Sequence, residues 1–254
     1  MKIQDPVAYV ICMFQEYDSV ITTLNTIRDS YQNAYIVIVQ SKNDSINEKW
    51  NTIYNLSNEI IVLPNLVKEY KMLPNNSLFF QNSDDLFGHV ICHSGCRNAS
   101  KGFSALINKK FKYLVGLTGD TKITNINSIH QAATYMRINN LVLGCAKAYG
   151  QYFFSNNSTS AYDIKSDRYQ NYFTTDFVNT LYIVEGDFFD QTKCLTNIEI
   201  TNHLTTEQCF GDEFLKYLPK FDLLKKTYLL NKNTPYFCYG FNDGIEYHSE
   251  KDKQ

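Results

Sequence analysis

The sequence has no apolar run long enough to cross a membrane and no excess of charge of one sign. Its longest apolar runs, such as residues 7–14, have the length of a strand, whereas a transmembrane helix needs about 20 apolar residues. The net charge is −2, with acids and bases interspersed and no basic stripe. Residues 1–6 carry two charges, and no apolar segment of signal-peptide length follows them. We therefore expect a cytoplasmic protein (host cytoplasm for a viral source) with no transmembrane segment and no nucleic-acid partner.

The chain also lacks internal repeats, low-complexity linkers and a dense cysteine framework. Seven cysteines are an odd number, and their spacing favours reduced thiols in a cytosol-like compartment. A hydrophobic content of 44% excludes an intrinsically disordered chain. At 254 residues, one domain covering residues 1–254 is the expected organisation.

Apolar strand-length segments alternate with amphipathic helical segments in the first half. Continuous apolar runs are typical of parallel strands that are buried on both faces, and they occur at residues 7–14, 35–39, 59–63 and 113–117. This alternation predicts an α/β fold with a mostly parallel sheet flanked by helices. Beyond residue 146 the sequence becomes more polar and aromatic, with a strand expected at 177–184, helices at 206–218 and 221–230, and a last strand at 236–239.

Polar side chains follow three of these strands, and others lie on the helix before the fourth. In open α/β sheets ligands bind beyond the carboxyl ends of the strands. The residues alone point to Asp120, an isolated acid after the fourth strand, with Arg97 and Lys101 on the helix before it.

The order and spacing of these groups over residues 7–145 resemble a nucleotide-sugar glycosyltransferase of the GT-A, family 2 type. The resemblance implies a Rossmann-like sheet in which residues 1–145 bind a UDP- or GDP-sugar and residues 146–254 bind a glycan or glycoconjugate acceptor. It implies that Gln15, Glu16 and Asp44 hold the nucleoside and that Arg97 and Lys101 lie near the diphosphate. Phe14, Asn98, Thr118 and Gly119 complete the implied donor site.

The family's Asp-x-Asp motif is represented here by Thr118-Gly119-Asp120, so one acid remains. The resemblance implies that Asp120 holds Mn²⁺ or Mg²⁺, since these ions use diphosphate oxygens and waters as further ligands. A turn or helix-capping acid is the alternative for Asp120. For Asp44 the alternative is likewise an Asx-turn or the cap of the following helix. For Arg97 and Lys101 the alternative is a solvated helix face.

Glycosyl transfer also needs a general base, which the family places at the start of a helix after the sheet. The matching segment contains Asp212, with Glu213 and Glu207 as alternates. A carboxylate there deprotonates the acceptor hydroxyl of an inverting enzyme, so inversion is expected. The alternative is an acidic helix N-terminus stabilised by the macrodipole.

Two other functions remain open. One is a non-catalytic nucleotide- or glycan-binding module of the same fold, which the incomplete Asp-x-Asp motif and the uncertain base both favour. The other is a sugar nucleotidyltransferase, which normally carries a glycine-rich loop with a basic residue after the first strand. Residues 11–19 contain no glycine, so the sequence favours glycosyl transfer over this second alternative.

Overall fold

The structure is a computed structural model that describes residues 6–41, 48–65, 83–146, 178–199, 206–218, 227–229 and 245–247. Within these ranges no helix combines the length and apolarity that a membrane crossing requires.

Nine strands and six helices are described in these ranges. The strands are β1 (Val7–Met13), β2 (Tyr35–Ser41), β3 (Glu59–Leu63), β4 (Tyr113–Thr118), β5 (Thr121–Ile123), β6 (Leu143–Ala146), β7 (Val178–Glu185), β8 (Thr227–Leu229) and β9 (Ile245–Tyr247). The helices are α1 (Tyr17–Ser30), α2 (Trp50–Leu56), α3 (Ser83–Ser104), α4 (Asn127–Ile138), α5 (Gly186–Thr192) and α6 (Thr206–Leu215).

Seven strands form one sheet in the order β3-β2-β1-β4-β7-β6-β8, while β5 pairs with β9 in a small second sheet. Strands β3, β2, β1 and β4 are mutually parallel, and β8 is parallel to β6. Strand β7 runs antiparallel to both of its neighbours, β4 and β6. The predicted α/β fold with a mostly parallel sheet flanked by helices is therefore confirmed.

The core lies on both faces of the sheet, as continuous apolar strands require. Residues 7–11 of β1 and 36–39 of β2 are almost completely buried. Helix α3 packs closely against these two strands at Gly102, where a Cβ atom would overlap the side chain of Val10. Close packing of α3 sets the position of this helix relative to the carboxyl ends of β1 and β2.

Several element boundaries differ from those that the sequence predicts. Strand β2 continues to Ser41, two residues beyond the predicted run, whereas the periodicity of 94–109 predicts a helix that the structure begins at Ser83 and ends at Ser104. The prediction of a helix over 221–230 is wrong at its end, because residues 227–229 pair with β6 as strand β8. The strand expected at 236–239 lies outside the described residues. Local propensity does not reveal such short strands, because pairing with a distant strand creates them.

Candidate functional site

The sheet has a topological switch point between β1 and β4. From β1 the chain proceeds to β2 and β3 on one side, and it then crosses to β4 on the other side of β1. The chain segments that follow β1 and β4 leave the sheet towards opposite sides, and at such a switch point ligands of open α/β sheets bind in the crevice beyond the carboxyl ends of the two strands. Residues 14–16 follow β1 and residues 119–120 follow β4, so the topology brings both predicted groups to this crevice.

The turn after β4 is built from side-chain oxygens around Asp120. The Gly119 N–H donates to the Cys12 carbonyl at 2.6 Å, which joins the turn to the end of β1. The Thr118 hydroxyl donates to Asp120 Oδ1 at 2.6 Å and lies 3.1 Å from the Thr121 hydroxyl. Asp120 is largely buried, with 6% of its surface exposed. The carboxylate is thus held by its own turn beside the end of β1.

Glu16 lies beside Gly119, and its carboxylate organises the turn after β1. Its Oε2 accepts the backbone N–H groups of Phe14 at 2.7 Å and Gln15 at 3.0 Å. A Cβ atom at Gly119 would lie only 2.8 Å from the same oxygen. The absence of a side chain at Gly119 therefore allows the Glu16 carboxylate to approach the turn that carries Asp120, while Gln15 remains exposed.

Cys12 lies beneath this crevice but does not provide a nucleophile. Burial raises the pKa of its thiol to about 12, so the thiol is neutral near pH 7. Its part in the site is the backbone carbonyl that receives Gly119. The chemistry of the crevice therefore comes from oxygen atoms rather than from a thiolate.

A second polar group lies at the end of β2. The Asn98 amide on α3 donates to the Ser41 hydroxyl at 2.9 Å, and this hydroxyl lies 3.5 Å from that of Ser94. Asn98 and Ser41 are both buried, and Asn98 Oδ1 has no hydrogen-bond partner. The contact joins α3 to the strand that leads towards Asp44. Asp44 itself lies outside the described residues.

The structure does not bring Arg97 and Lys101 to the crevice. The Arg97 guanidinium donates to the Pro64 carbonyl, just beyond β3, at 2.6 Å. Strand β3 is two strands away from β1, and neighbouring strands are about 4.8 Å apart. Lys101 is exposed and precedes Gly102, the residue that faces the sheet. Lys101 therefore lies on a solvated helix face in this structure, which is one of the interpretations that the sequence left open.

The candidate general bases lie on α6. The Glu213 carboxylate is buried and accepts the Leu195 N–H at 3.2 Å and the Tyr217 hydroxyl at 3.3 Å. It also forms an ion pair of 2.9 Å with Lys216. These contacts tie α6 to Leu195 through Oε1, while the buried Oε2 has the Lys216 ammonium group beside it. Asp212 and Glu207 belong to the same helix, but the positions of their side chains lie outside what the structure describes.

The atoms around Asp120 suit a hard divalent cation. The turn offers one carboxylate and two hydroxyl groups, and oxygen ligands favour Mg²⁺ or Mn²⁺ over softer metals. Among the described residues no group of three or more His, Cys, Asp or Glu side chains is arranged around a metal position. A cation held here would depend on additional oxygens from a ligand and from water.

No protein-family model matches this sequence, and no curated protein matches it either. Among solved structures, mouse xyloside xylosyltransferase 1 is 11% identical, with 88% of this chain and 85% of that chain covered and a TM-score of 0.46. Mannosyl-3-phosphoglycerate synthase from Rubrobacter xylanophilus is 11% identical over 89% of this chain and 65% of that chain, with a TM-score of 0.47.

A third match is glucosyl-3-phosphoglycerate synthase from Mycobacterium tuberculosis, solved with Mn²⁺, UDP and glucosyl-3-phosphoglycerate. It is 8% identical, covers 89% of this chain and 69% of that chain, and has a TM-score of 0.48. These proteins are glycosyltransferases, the class that the sequence resembles. At such identities the likeness concerns the course of the chain, and the function proposed below rests on this chain's own residues.

Two threonines that support the site were not among the sequence candidates. The Thr23 hydroxyl on α1 accepts the Ile123 N–H at 2.9 Å and donates to the Thr121 carbonyl at 3.4 Å. Both threonines are almost fully buried. A polar residue within the apolar stripe of α1 was the available signal for Thr23, whereas Thr121 became recognisable only from its position beside Asp120.

Proposed function

We propose that this chain is a glycosyltransferase that moves a sugar from a UDP- or GDP-sugar to a hydroxyl group of a glycan or glycoconjugate, with metal assistance and inversion at the sugar carbon. The observation that carries the proposal is the pair of carboxylates at the switch point, Glu16 after β1 and Asp120 after β4. The chain acts as one domain, with residues 1–145 binding the donor and residues 146–254 binding the acceptor.

Asp120 is the residue that would hold Mn²⁺ or Mg²⁺, with the Thr118 hydroxyl fixing its carboxylate. When bound, the cation supplies Lewis-acid stabilisation for the departing nucleoside diphosphate. Phe14, Gln15 and Glu16 form the wall on the β1 side of the crevice and would contact the nucleoside. A glutamate at this place is suited to hydrogen bonding with hydroxyl groups, because an ionised carboxylate is an acceptor.

Asp44 and Asn98 are proposed to line the nucleoside end of the donor site, which the contact between Asn98 and Ser41 supports. A diphosphate role for Arg97 requires its guanidinium to leave the Pro64 carbonyl when the donor binds. Lys101 is not retained in the donor site, because it is exposed and no described contact directs it towards the crevice.

Substitution of Asp120 tests the donor site. Calorimetric titration with UDP and with GDP, each with and without Mn²⁺, should show metal-dependent binding of one nucleotide. Asp120→Asn should weaken that binding by about 30-fold, or about 2 kcal/mol, because the remaining amide is a poor cation ligand. Asp190→Asn is the matched control, since Asp190 pairs with Lys110 on another part of the molecule and should leave nucleotide binding unchanged.

The outcomes separate the candidate functions. Unchanged binding by Asp120→Asn would refute the metal role of Asp120. Metal-dependent nucleotide binding without donor hydrolysis or transfer, across a panel of nucleotide sugars and acceptors, would favour a binding module. Formation of nucleoside triphosphate from a nucleotide sugar and pyrophosphate would identify a sugar nucleotidyltransferase instead.

Asp212 is the proposed general base, with Glu207 as the alternate. Asp212→Asn should reduce transfer by at least 100-fold, at the lower end of general-base effects, without changing donor affinity. Glu213→Gln should instead lower the free energy of unfolding by about 2 kcal/mol, because it removes a charged acceptor from a buried network. Transfer assays and thermal unfolding of both variants check this division. Transfer lost in Glu213→Gln at full stability would reverse the assignment.

A further inference from the structure

Thr118 occupies the place of the first acid in the Asp-x-Asp pattern, and its hydroxyl has a definite hydrogen-bond direction. Its single proton goes to Asp120 Oδ1, over an oxygen–oxygen distance of 2.6 Å. Thr118 Oγ1 also lies 3.1 Å from Thr121 Oγ1. Because a hydroxyl donates one hydrogen bond, Thr121 must donate to Thr118. The two hydroxyls thus form a chain that ends on the Asp120 carboxylate.

This hydroxyl chain is anchored to the body of the fold. Thr121 is the first residue of β5, and its carbonyl accepts the Thr23 hydroxyl from α1. The same Thr23 oxygen receives the Ile123 N–H, so α1 holds both ends of β5. Thr118 is the last residue of β4 and pairs with Cys12 of β1. Threonine is also restricted at χ1 by its branched Cβ. The Asp120 carboxylate is consequently directed by groups that are themselves fixed.

A hydroxyl in place of a carboxylate also changes the charge of the turn. Thr118 adds a hydrogen bond to Asp120 but no negative charge, so the turn after β4 contributes one carboxylate, with that of Glu16 beside Gly119. A divalent cation held by one carboxylate takes its other ligands from water and from substrate phosphates. Metal and nucleoside diphosphate should therefore bind much better together than separately, and linkage makes this coupling reciprocal.

Resting on the proposed function, we propose that Thr118 is a positioning residue, which orients Asp120 for the cation of the donor and makes cation binding depend on the nucleoside diphosphate. The Thr118 methyl and hydroxyl groups have different parts in this arrangement. The hydroxyl directs Asp120, and the branched Cβ restricts the hydroxyl to one orientation. Serine at this position should retain the direction of the bond, whereas valine should retain only the shape.

Electron paramagnetic resonance of free Mn²⁺ provides a readout that does not depend on transfer activity. The full chain is titrated with Mn²⁺ alone, with UDP present and, in parallel, with GDP present. In the wild type we expect weak binding of Mn²⁺ alone and at least tenfold tighter binding with one nucleotide. Thr118→Val should weaken nucleotide-dependent Mn²⁺ binding by about tenfold, which is the usual effect of losing a group that orients a metal ligand.

Two further variants separate positioning from stability. Thr118→Ser should remain within about threefold of the wild type, because the hydroxyl bond to Asp120 persists. Thr118→Asp should strengthen binding of Mn²⁺ alone, since it adds a second carboxylate, and should reduce the dependence on nucleotide. Thr121→Val removes the hydroxyl that contacts Thr118 and should cause a smaller loss, of about threefold, which provides a test if Thr118→Val does not fold.

The proposal is overturned if folded Thr118→Val binds Mn²⁺ and nucleotide as the wild type does, or if Thr118→Ser loses as much affinity as Thr118→Val. Loss of binding in Asp120→Asn together with unchanged binding in Thr118→Val would refute the positioning role and leave the proposed function intact. If the wild type binds Mn²⁺ with neither UDP nor GDP, the proposed function fails, and the role of Thr118 fails with it.

Discussion

The two ends of β4 differ in the groups that form hydrogen bonds there. At the amino end, backbone atoms close the structure: the Lys112 N–H donates to the Pro6 carbonyl at 2.6 Å, and the Gly186 N–H donates to the Lys112 carbonyl at 2.9 Å. At the carboxyl end, one backbone bond joins Gly119 to Cys12, and side-chain oxygens occupy the space beyond it.

This difference bears on where the proposed chemistry lies. At the amino end the strand is closed by backbone hydrogen bonds, beside a cavity of about 360 Å³ whose lining includes Lys112, Arg137 and Asp187. At the carboxyl end Glu16 and Asp120 bring two acidic groups to the switch point, where the adjacent crossovers diverge. The amino end of β4 should therefore govern stability, and its carboxyl end should govern ligand binding.

The largest effect is expected from a change at the amino end. A Cβ atom at Gly186 would overlap the Phe111 carbonyl oxygen, which is backbone and cannot rotate away. Gly186→Ala should reduce the free energy of unfolding by about 3 kcal/mol. For a chain of this size, that loss corresponds to a melting temperature lower by roughly 6–12 °C. Scanning calorimetry measures the change, and nucleotide affinity below the transition should be unaffected.

Gly119→Ala is the matched change at the carboxyl end. The new Cβ would lie 2.8 Å from Glu16 Oε2 and 3.0 Å from the Met13 Cα. The Glu16 side chain can move, but the Met13 Cβ, also 2.8 Å away, cannot, so the stability loss should be about 2 kcal/mol, smaller than that of Gly186→Ala. Nucleotide-dependent Mn²⁺ binding should nevertheless weaken by about tenfold, or about 1.4 kcal/mol. Equal effects of the two glycine substitutions on stability and on binding would remove the distinction between the ends.

The last prediction concerns alkaline pH and the thiols of Cys12 and Cys194. Burial raises the pKa of the Cys12 and Cys194 thiols to about 12, from an ordinary value of about 8.5. Unfolded chains release these protons first, so stability should be full below about pH 8.5 and should decline as the pH rises towards 12. The decline should not exceed about 1.4 kcal/mol per pH unit for each thiol.

Denaturant unfolding between pH 8 and 10.5 measures this decline. Cys12→Ala should make the pH dependence shallower, since one titrating thiol is removed. Thiolate absorbance in the folded protein provides an independent check. A Cys12 thiolate that forms near pH 8.5 would contradict the raised pKa of this thiol.

The sequence was sufficient for the strands of the first half because their apolar runs are continuous. Strand β3 begins and ends at the predicted residues, and β1 ends one residue before its prediction. The acids after β1 and β4 could also be recognised, since a polar residue directly after a buried strand lies at the carboxyl end of that strand. The short strands β5, β8 and β9 were not recognisable, because three residues carry too little periodicity.

The candidate site was likewise predictable from the sequence only in part. Glu16, Thr118 and Asp120 could be named from their order along the chain, but the bond between Thr118 and Asp120 depends on a turn geometry that order does not specify. Arg97 was expected beside the diphosphate because it lies on the same helix as Asn98, yet it binds the Pro64 carbonyl. A helix face is predictable from spacing, whereas the neighbour of that face depends on how the helix packs.

By itself, the sequence determined the alternating α/β pattern, the buried strands and the polar residues that follow them, because hydrophobic periodicity acts locally. Only the tertiary structure decided that β7 runs antiparallel beside β4, with Tyr182 opposite Gly116, and that Glu213 is bound to Leu195. Such pairings join residues far apart in the chain, and their energies depend on the packing of the whole domain rather than on any local segment.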